Sequence, residues 1–153
     1  VMITNFKEYY RLAEYFSNYT QKKIVLTMGV NNLIEVFDEK YYNHLSGGIL
    51  EAFGKLFFKN LKVFLYPMKD SKDGKILNSN NLQVDSRMKN LYKFFKYNNK
   101  IIDIFSFNEN LLDIYSEKVL SMIENNEKGW EDSIPDAVTK LIKEKNLFGY
   151  KSS

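Results

Sequence analysis

The sequence of 153 residues contains no cysteine, two prolines, one histidine and one tryptophan. Without cysteine it can form no disulfide, cysteine nucleophile or thiolate metal site. A single histidine cannot supply a zinc site with two histidines, so a metal would need carboxylates as its main ligands. No uncharged apolar run reaches the roughly 18 residues that predict a membrane-spanning helix, and the first residues lack the pattern of a signal peptide. We therefore expect no metal site, no membrane span, and a location in the cytoplasm or an organelle matrix.

Charge is nearly balanced, with 22 Lys and Arg against 19 Asp and Glu and a net charge of +3. Only Arg11 and Arg87 are arginines. Binding of nucleic acid by phosphate neutralisation needs a concentrated basic face. The best local cluster consists of Lys89, Lys93, Lys96 and Lys100. Because this helical spacing is also typical of the hydrated face of an amphipathic helix, nucleic acid is not the expected partner.

The spacing of apolar residues predicts an α/β fold in one domain over residues 1–150, with 151–153 as a tail. Apolar residues at a helical period predict helices over 5–19, 31–41, 49–58, 86–97, 116–124 and 135–145. Short apolar runs predict strands over 23–30, 61–67 and 101–105, and the first of these runs is rich in β-branched residues. Helices that alternate with short buried, partly parallel strands are typical of Rossmann-like layers.

Some expectations are finer. Residues 23–30 read as a strand buried on both faces, and residues 1–3 as the end of a further strand. In the predicted helices, Leu50 and Leu120 are expected on the buried side. The polar stretch 68–81, with its Ser-Lys-Asp-Gly turn, predicts a mobile loop.

Two glycine turns are candidate sites for a phosphate or another anion. Gly29 and Asn31 lie where a strand passes into a helix, a position at which open α/β sheets collect ligands. Ser46, Gly47 and Gly48 precede the next helix and let a ligand approach the backbone. Neither turn matches GxGxxG or GxxxxGK[ST]. The simpler interpretation, a helix cap and a tight turn, is favoured for both, and a nucleotide remains the one cofactor class that these turns would suit.

His44 and Glu51 form a weak candidate acid–base pair. An exposed or capping histidine is the favoured alternative. Nearby, Glu35, Asp38 and Glu39 lie on one side of a predicted helix. They could hold a cation through oxygen ligands, although a hydrated acidic face is the commoner arrangement.

Trp130 and Tyr150 are candidate interface residues. A large amphipathic ring before a proline-initiated helix most often anchors a loop onto the core. Aromatic residues also dominate interface hot spots, so the sequence leaves open a role for Trp130 at a partner surface.

Five blocks in order carry a resemblance to a known family. They are FDEKYY (37–42), GGILEAFGKLF (47–57), YP (66–67), WEDSIP (130–135) and LFGY (147–150). Together they resemble the C-terminal part of a family of large bacterial proteins named nicotinate- or nicotinamide-nucleotide adenylyltransferase or TonB-dependent receptor. The resemblance implies that this chain is the C-terminal portion of a longer protein. The HxGH phosphate motif of nucleotidylyltransferases is missing, so no catalytic residue is carried over.

The sequence therefore leads to two main functional hypotheses, with a nucleic-acid-contacting domain that uses the stripe from Lys89 to Lys100 as a third and weaker option. The first is an accessory or interaction domain, with no complete catalytic set, that contacts the rest of a parent chain or a protein partner. The alternative is a nucleotide- or phosphate-binding segment of a nucleotide-handling enzyme, with its ligand at the two glycine turns.

Overall fold

A computed structural model describes residues 4–58 and 60–151. The predicted strand end at residues 1–3 lies outside the described residues. The chain forms two compact units, of which the first ends at Phe107 and the second begins at Asn108. The assignment of residues 1–150 to a single domain stays a prediction.

The first unit is an α/β layer built on a parallel sheet. Its helices are α1 (Tyr9–Ser17), α2 (Val30–Val36), α3 (Gly48–Leu56) and α4 (Lys89–Tyr97). Its strands are β1 (Val25–Gly29), β2 (Lys62–Tyr66), β3 (Met68–Lys69), β4 (Ile76–Leu77) and β5 (Ile101–Asp103). The sheet has the order β1-β2-β5 with both pairs parallel, and helices lie between its strands in the chain. The predicted α/β class is confirmed.

The central strand β2 anchors the sheet in the core, whereas β1 lies at an edge. Val63 and Leu65 of β2 are fully buried. In β1, Val25 and Thr27 are exposed while Met28 is buried. The expectation that this strand is buried on both faces is therefore wrong. The side chains of β1 alternate between a covered and an open face, because only one face of this strand packs against the core.

An aromatic cluster joins three helices on the sheet. The ring of Phe53 in α3 lies 4.8 Å from Phe37, 5.2 Å from Phe95 and 5.7 Å from Phe57, measured between centroids. These rings meet edge to face, a favourable arrangement for aromatic pairs. Phe37 follows α2 and Phe95 belongs to α4, so the cluster fixes both elements against α3.

Two predicted segments differ in detail. The helix expected over 31–41 ends at Val36, and a separate 3-10 turn covers Glu39–Tyr42. The side chain of Asp38 accepts a hydrogen bond from the Lys40 N–H (3.1 Å) and starts that new turn. The stretch 68–81, expected as a loop, contains the antiparallel pair β3–β4. Gly74, at φ +71°, allows the tight turn between the two strands.

The second unit contains two helices around a small core. They are α5 (Ser116–Glu124), confirmed at its predicted bounds, and α6 (Asp136–Lys145). The buried residues of this small core are Val119, Ile123, Trp130 and Ile142. Leu120, expected inside, is 40% exposed, because the buried stripe of this short helix is narrower than its apolar pattern. No helix in the described part of the chain is long and apolar enough to cross a membrane.

We expect the two leucines of α3 to respond differently to truncation. Leu56 is 2% exposed, whereas Leu50, predicted to be buried, is 66% exposed. Leu56→Ala should lower the free energy of unfolding by about 2–5 kcal/mol, and Leu50→Ala by less than about 0.5 kcal/mol. Urea unfolding of both variants measures this, and equal losses would contradict the assigned helix face.

Candidate functional site

The turn at Gly29 is an ordinary strand-to-helix junction. Gly29 has φ −78° and ψ 168°, a conformation open to any residue, and a Cβ placed on it would meet only the Asn32 Oδ1, at 3.8 Å. Asn31 is exposed at the start of α2. The carboxyl end of β1 lies at an edge of the sheet, whereas ligand crevices in open α/β sheets form where the strand order reverses.

The turn at Ser46–Gly48 is occupied by a carboxylate of the chain itself. Glu51 Oε2 accepts a hydrogen bond from the Gly47 N–H (3.0 Å), and Glu51 Oε1 accepts one from Lys55 Nζ (3.0 Å). The Gly47 N–H, followed by the Lys55 ammonium, lowers the pKa of Glu51. Since a carboxylate at a helix N-terminus satisfies its free N–H groups, a phosphate here would compete with Glu51.

Glycine is favoured at positions 47 and 48 of this turn for two different reasons. Gly48 has φ +55°, a left-handed conformation that side chains disfavour, with open space around its Cα. A Cβ on Gly47 would lie 2.9 Å from the Glu51 Cβ. Both observations fit the tight turn and the Glu51 contact. Ser46 is exposed and does not cap α3, whose start shows no side-chain cap bond.

His44 contacts a partner that no sequence motif indicates. Its Nε2 lies 3.0 Å from the hydroxyl of Tyr10 in α1, and Arg11 Nε donates to the same hydroxyl at 3.2 Å. The Lys55 ammonium lies 5.8 Å from the centre of the Tyr10 ring. Among the groups that lower the pKa of Glu51, His44 contributes least. This hydrogen-bonded chain joins α1 to the turn before α3.

Two of the acidic side chains considered as cation ligands are paired with cations of the chain. Asp38 lies 2.6 Å from Lys40 Nζ, and Glu39 lies 3.0 Å from Arg87 Nη1. Hydrogen bonds from Lys40 lower the pKa of Asp38. Within residues 4–58 and 60–151, no group of three or more His, Asp or Glu side chains is placed to hold a metal ion.

Trp130 anchors the second unit. Its side chain is 1% exposed in the core around α5 and α6, and the Lys143 ammonium lies 5.4 Å from its ring centre. Tyr150 packs against it at 5.9 Å between ring centroids. A ring this buried offers no surface to a partner. The geometry therefore agrees with the interpretation of Trp130 as a loop anchor. Tyr150 is half-buried.

Sequence reasoning missed a polar network at the end of β5. Ser79, 4% exposed, donates from its N–H to Asp103 Oδ1 (2.8 Å) and from its Oγ to Asp103 Oδ2 (2.6 Å). The Ser79 carbonyl accepts from the Tyr92 hydroxyl (2.7 Å) and from Lys96 Nζ (2.9 Å). Burial, then the Asp103 charge, raises the pKa of Tyr92 far above its usual range. The only sequence signal was Lys96, as a member of the lysine cluster.

Two buried residues of this network, Ser79 and Tyr92, form the floor of a pocket beside α4. Residues 79–86 provide one wall, and Lys89, Lys93 and Lys96 of α4 provide the other. On its outer side α4 also exposes two rings, Phe94 (59%) and Tyr97 (89%). We call the patch of Asn90, Lys93, Phe94 and Tyr97 the α4 face.

No family model, curated protein or solved structure matches this chain. The resemblance to the C-terminal part of a large bacterial family therefore stays a prediction.

The two glycines of α3 provide a matched test of the turn. Gly48→Ala should lower the free energy of unfolding by about 1 kcal/mol, because its φ is positive. Gly54→Ala, in the helix interior with open space for a Cβ, should raise it by roughly 0.5–1 kcal/mol. Chemical unfolding of both variants measures the difference, and a neutral Gly48→Ala would contradict the conformational role.

The role of Glu51 is tested through pH. Its pKa is lower in the folded chain, so its contribution to stability is present above the unfolded pKa of about 4.3 and is lost as the pH falls through the folded value. Glu51→Gln should lower the melting temperature at neutral pH, and this difference should shrink as the pH falls below about 4.3. Glu35→Gln, which changes a carboxylate of α2, is the control. A difference that is constant with pH would contradict the Glu51 contacts.

Proposed function

We propose that this chain is an accessory α/β domain that binds a protein partner, either the rest of a parent chain or a separate protein, through the α4 face. The observation that carries this proposal is the exposure of 59% of Phe94 and 89% of Tyr97. Residues three apart on a helix are neighbours on its surface. The two rings therefore form one aromatic patch, which Asn90 and Lys93 border.

The α4 face has the composition of a binding hot spot. Aromatic side chains provide large contact areas and are enriched among the residues that dominate binding energy. Full burial of a Phe side chain is worth about 1.5–3 kcal/mol. Covering both rings would thus supply a substantial part of the affinity of a modest complex.

The charge of α4 specifies the chemistry of the partner. The helix has the sequence KNLYKFFKY, with three lysines and no acidic residue. Lys89 and Lys93 form no ion pair within the part of the chain that the structure describes, whereas Lys40, Lys55 and three further lysines do. Complementary charge steers association and excludes wrong partners. The fitting partner is an acidic protein segment with an aromatic or aliphatic anchor.

Nucleic acid fits the α4 face less well. Lysines beside exposed rings do occur in sites for single-stranded nucleic acid. Both arginines of this chain, however, lie outside α4 and face carboxylates: Arg11 lies 3.5 Å from Glu8 and Arg87 lies 3.0 Å from Glu39. With a net charge of only +3, the charge balance favours an acidic protein segment. The cytoplasm or an organelle matrix stays the expected compartment.

Selection from a peptide library tests the proposal, because it requires no identified partner. Random peptides displayed on phage are selected on the immobilised chain, and we expect binders rich in Asp and Glu around an apolar anchor. A synthesised binder, measured by fluorescence anisotropy, should bind the Phe94→Ala, Tyr97→Ala double variant about tenfold more weakly or worse, since 1.4 kcal/mol is tenfold. Tyr19→Ala, which removes a ring 74% exposed outside α4, should leave the affinity unchanged.

Three results would overturn the proposal. The first is a set of neutral or basic binders. The second is a binder whose affinity for the double variant is unchanged while that variant still melts cooperatively. The third is saturable binding of a labelled single-stranded DNA that the double variant loses and the Tyr19→Ala variant keeps. That third result would assign the α4 face to nucleic acid.

A further inference from the structure

The pocket beside α4 is a separate feature from the exposed rings. It is a half-open depression of about 630 Å³ between α4 and residues 79–86, a volume within the usual range for small-molecule sites. Leu82 and Val84 provide apolar lining, and Asn80, Gln83 and Ser86 provide polar groups. We call it the lysine pocket, after the three α4 lysines that line it.

The floor of the lysine pocket is held in place. Every hydrogen-bonding group of Ser79 is engaged, through Asp103, Tyr92 and Lys96. Ser79 and Tyr92 are both buried. Because both Asp103 oxygens accept hydrogen bonds from Ser79, this carboxylate is directed at the floor. A floor fixed in this way lowers the conformational cost of binding a ligand.

The lysines that line the pocket form no ion pair with other described residues of the chain. Lys96 Nζ donates to two neutral oxygens, the Ser79 carbonyl (2.9 Å) and Asn80 Oδ1 (2.7 Å), which leaves one of its three N–H groups for another acceptor. Lys89 and Lys93, one helical turn apart, are exposed and have no ion pair among residues 4–58 and 60–151. Like charges at this spacing repel each other, so an anion between them would relieve the repulsion.

We propose that the lysine pocket binds a small phosphorylated molecule, with the phosphate held by the ammonium groups of Lys89, Lys93 and Lys96. A phosphate monoester is close to a dianion at neutral pH and has three strong acceptor oxygens. It therefore matches three cationic donors better than a carboxylate, which has one charge and two oxygens. Asn80, Gln83, Leu82 and Val84 would contact the organic part of the ligand.

The lysine pocket is at a different place from the glycine turns that the sequence suggested as phosphate sites. At Ser46–Gly48 the chain's own Glu51 fills the position of an anion, whereas the lysine pocket is lined by three cationic side chains and no acidic one. It also stands independently of the α4 face, although Lys93 and Lys96 border both.

The test uses amide-resolved NMR titration of the whole chain with inorganic phosphate, glucose 6-phosphate and AMP, each against sodium chloride at the same ionic strength. We expect saturable shifts at residues 79–86 and in the first turn of α4. Lys89→Gln with Lys93→Gln should weaken binding about tenfold or more. The control, Lys22→Gln with Lys23→Gln, removes the same charge from a segment outside the pocket and should bind as the unchanged chain does.

The three probes identify the source of the phosphate. Tighter binding of glucose 6-phosphate or AMP than of inorganic phosphate would assign the pocket to that organic phosphate, and equal binding would assign it to phosphate itself. Because the second pKa of a phosphate is about 6, binding should weaken from about pH 7.5 to 5.5, whereas that of sulfate should not.

Three results would overturn the proposal: shifts that do not saturate, shifts that chloride reproduces, or an affinity that the Lys89→Gln, Lys93→Gln variant retains. Phe94→Ala with Tyr97→Ala should leave phosphate binding intact. A failure of the α4 face as a protein-binding surface is thereby distinguished from a failure of the lysine pocket.

Discussion

Packing around Phe53 is the contact on which the first unit depends most. Phe53 is 2% exposed and meets Phe37, Phe57 and Phe95 within 6 Å between ring centroids. Phe57 and Phe95 in turn stack at 4.2 Å, so α3 and α4 are joined by more than one ring pair. Since Phe95 and Tyr92 occupy the inner side of α4, the lysines and the rings of Phe94 and Tyr97 must lie on its other sides. The core thus decides what α4 presents to a ligand.

The local sequence pattern predicted helices and strands well where the period of their apolar residues agrees with the side that is buried. The apolar run at 61–67 forms the central strand β2, and the segment 116–124, with its helical period, forms α5. The predicted burial of Leu50 and Leu120 was wrong, because hydrophobicity alone does not say how wide a stripe the core covers on a helix. The open face of β1 was missed for a related reason, because the faces of a strand are covered by segments that are distant in sequence.

The candidate sites were harder to predict, because their contacts join residues far apart in the chain. Tyr10 and His44 are 34 positions apart, and Ser79 and Asp103 are 24 apart. No motif marks either pair. The glycine turns drew attention because glycine is a strong local signal, yet Gly48 is explained by its positive φ. The lysine cluster was visible in the sequence, but only the fold shows that Lys89, Lys93 and Lys96 share a pocket with Ser79.

The two proposed ligands meet at Lys93 and Lys96, which border both the α4 face and the lysine pocket. A phosphate dianion held by Lys89 and Lys93 reduces the positive charge that α4 offers to an acidic partner. Linkage makes this effect reciprocal: a partner that pairs with Lys93 must weaken phosphate binding by the same factor. The rings of Phe94 and Tyr97 are outside the pocket, so their contribution to partner binding is independent of phosphate. Occupancy of the pocket would therefore tune the electrostatic part of partner binding and leave the hydrophobic part in place.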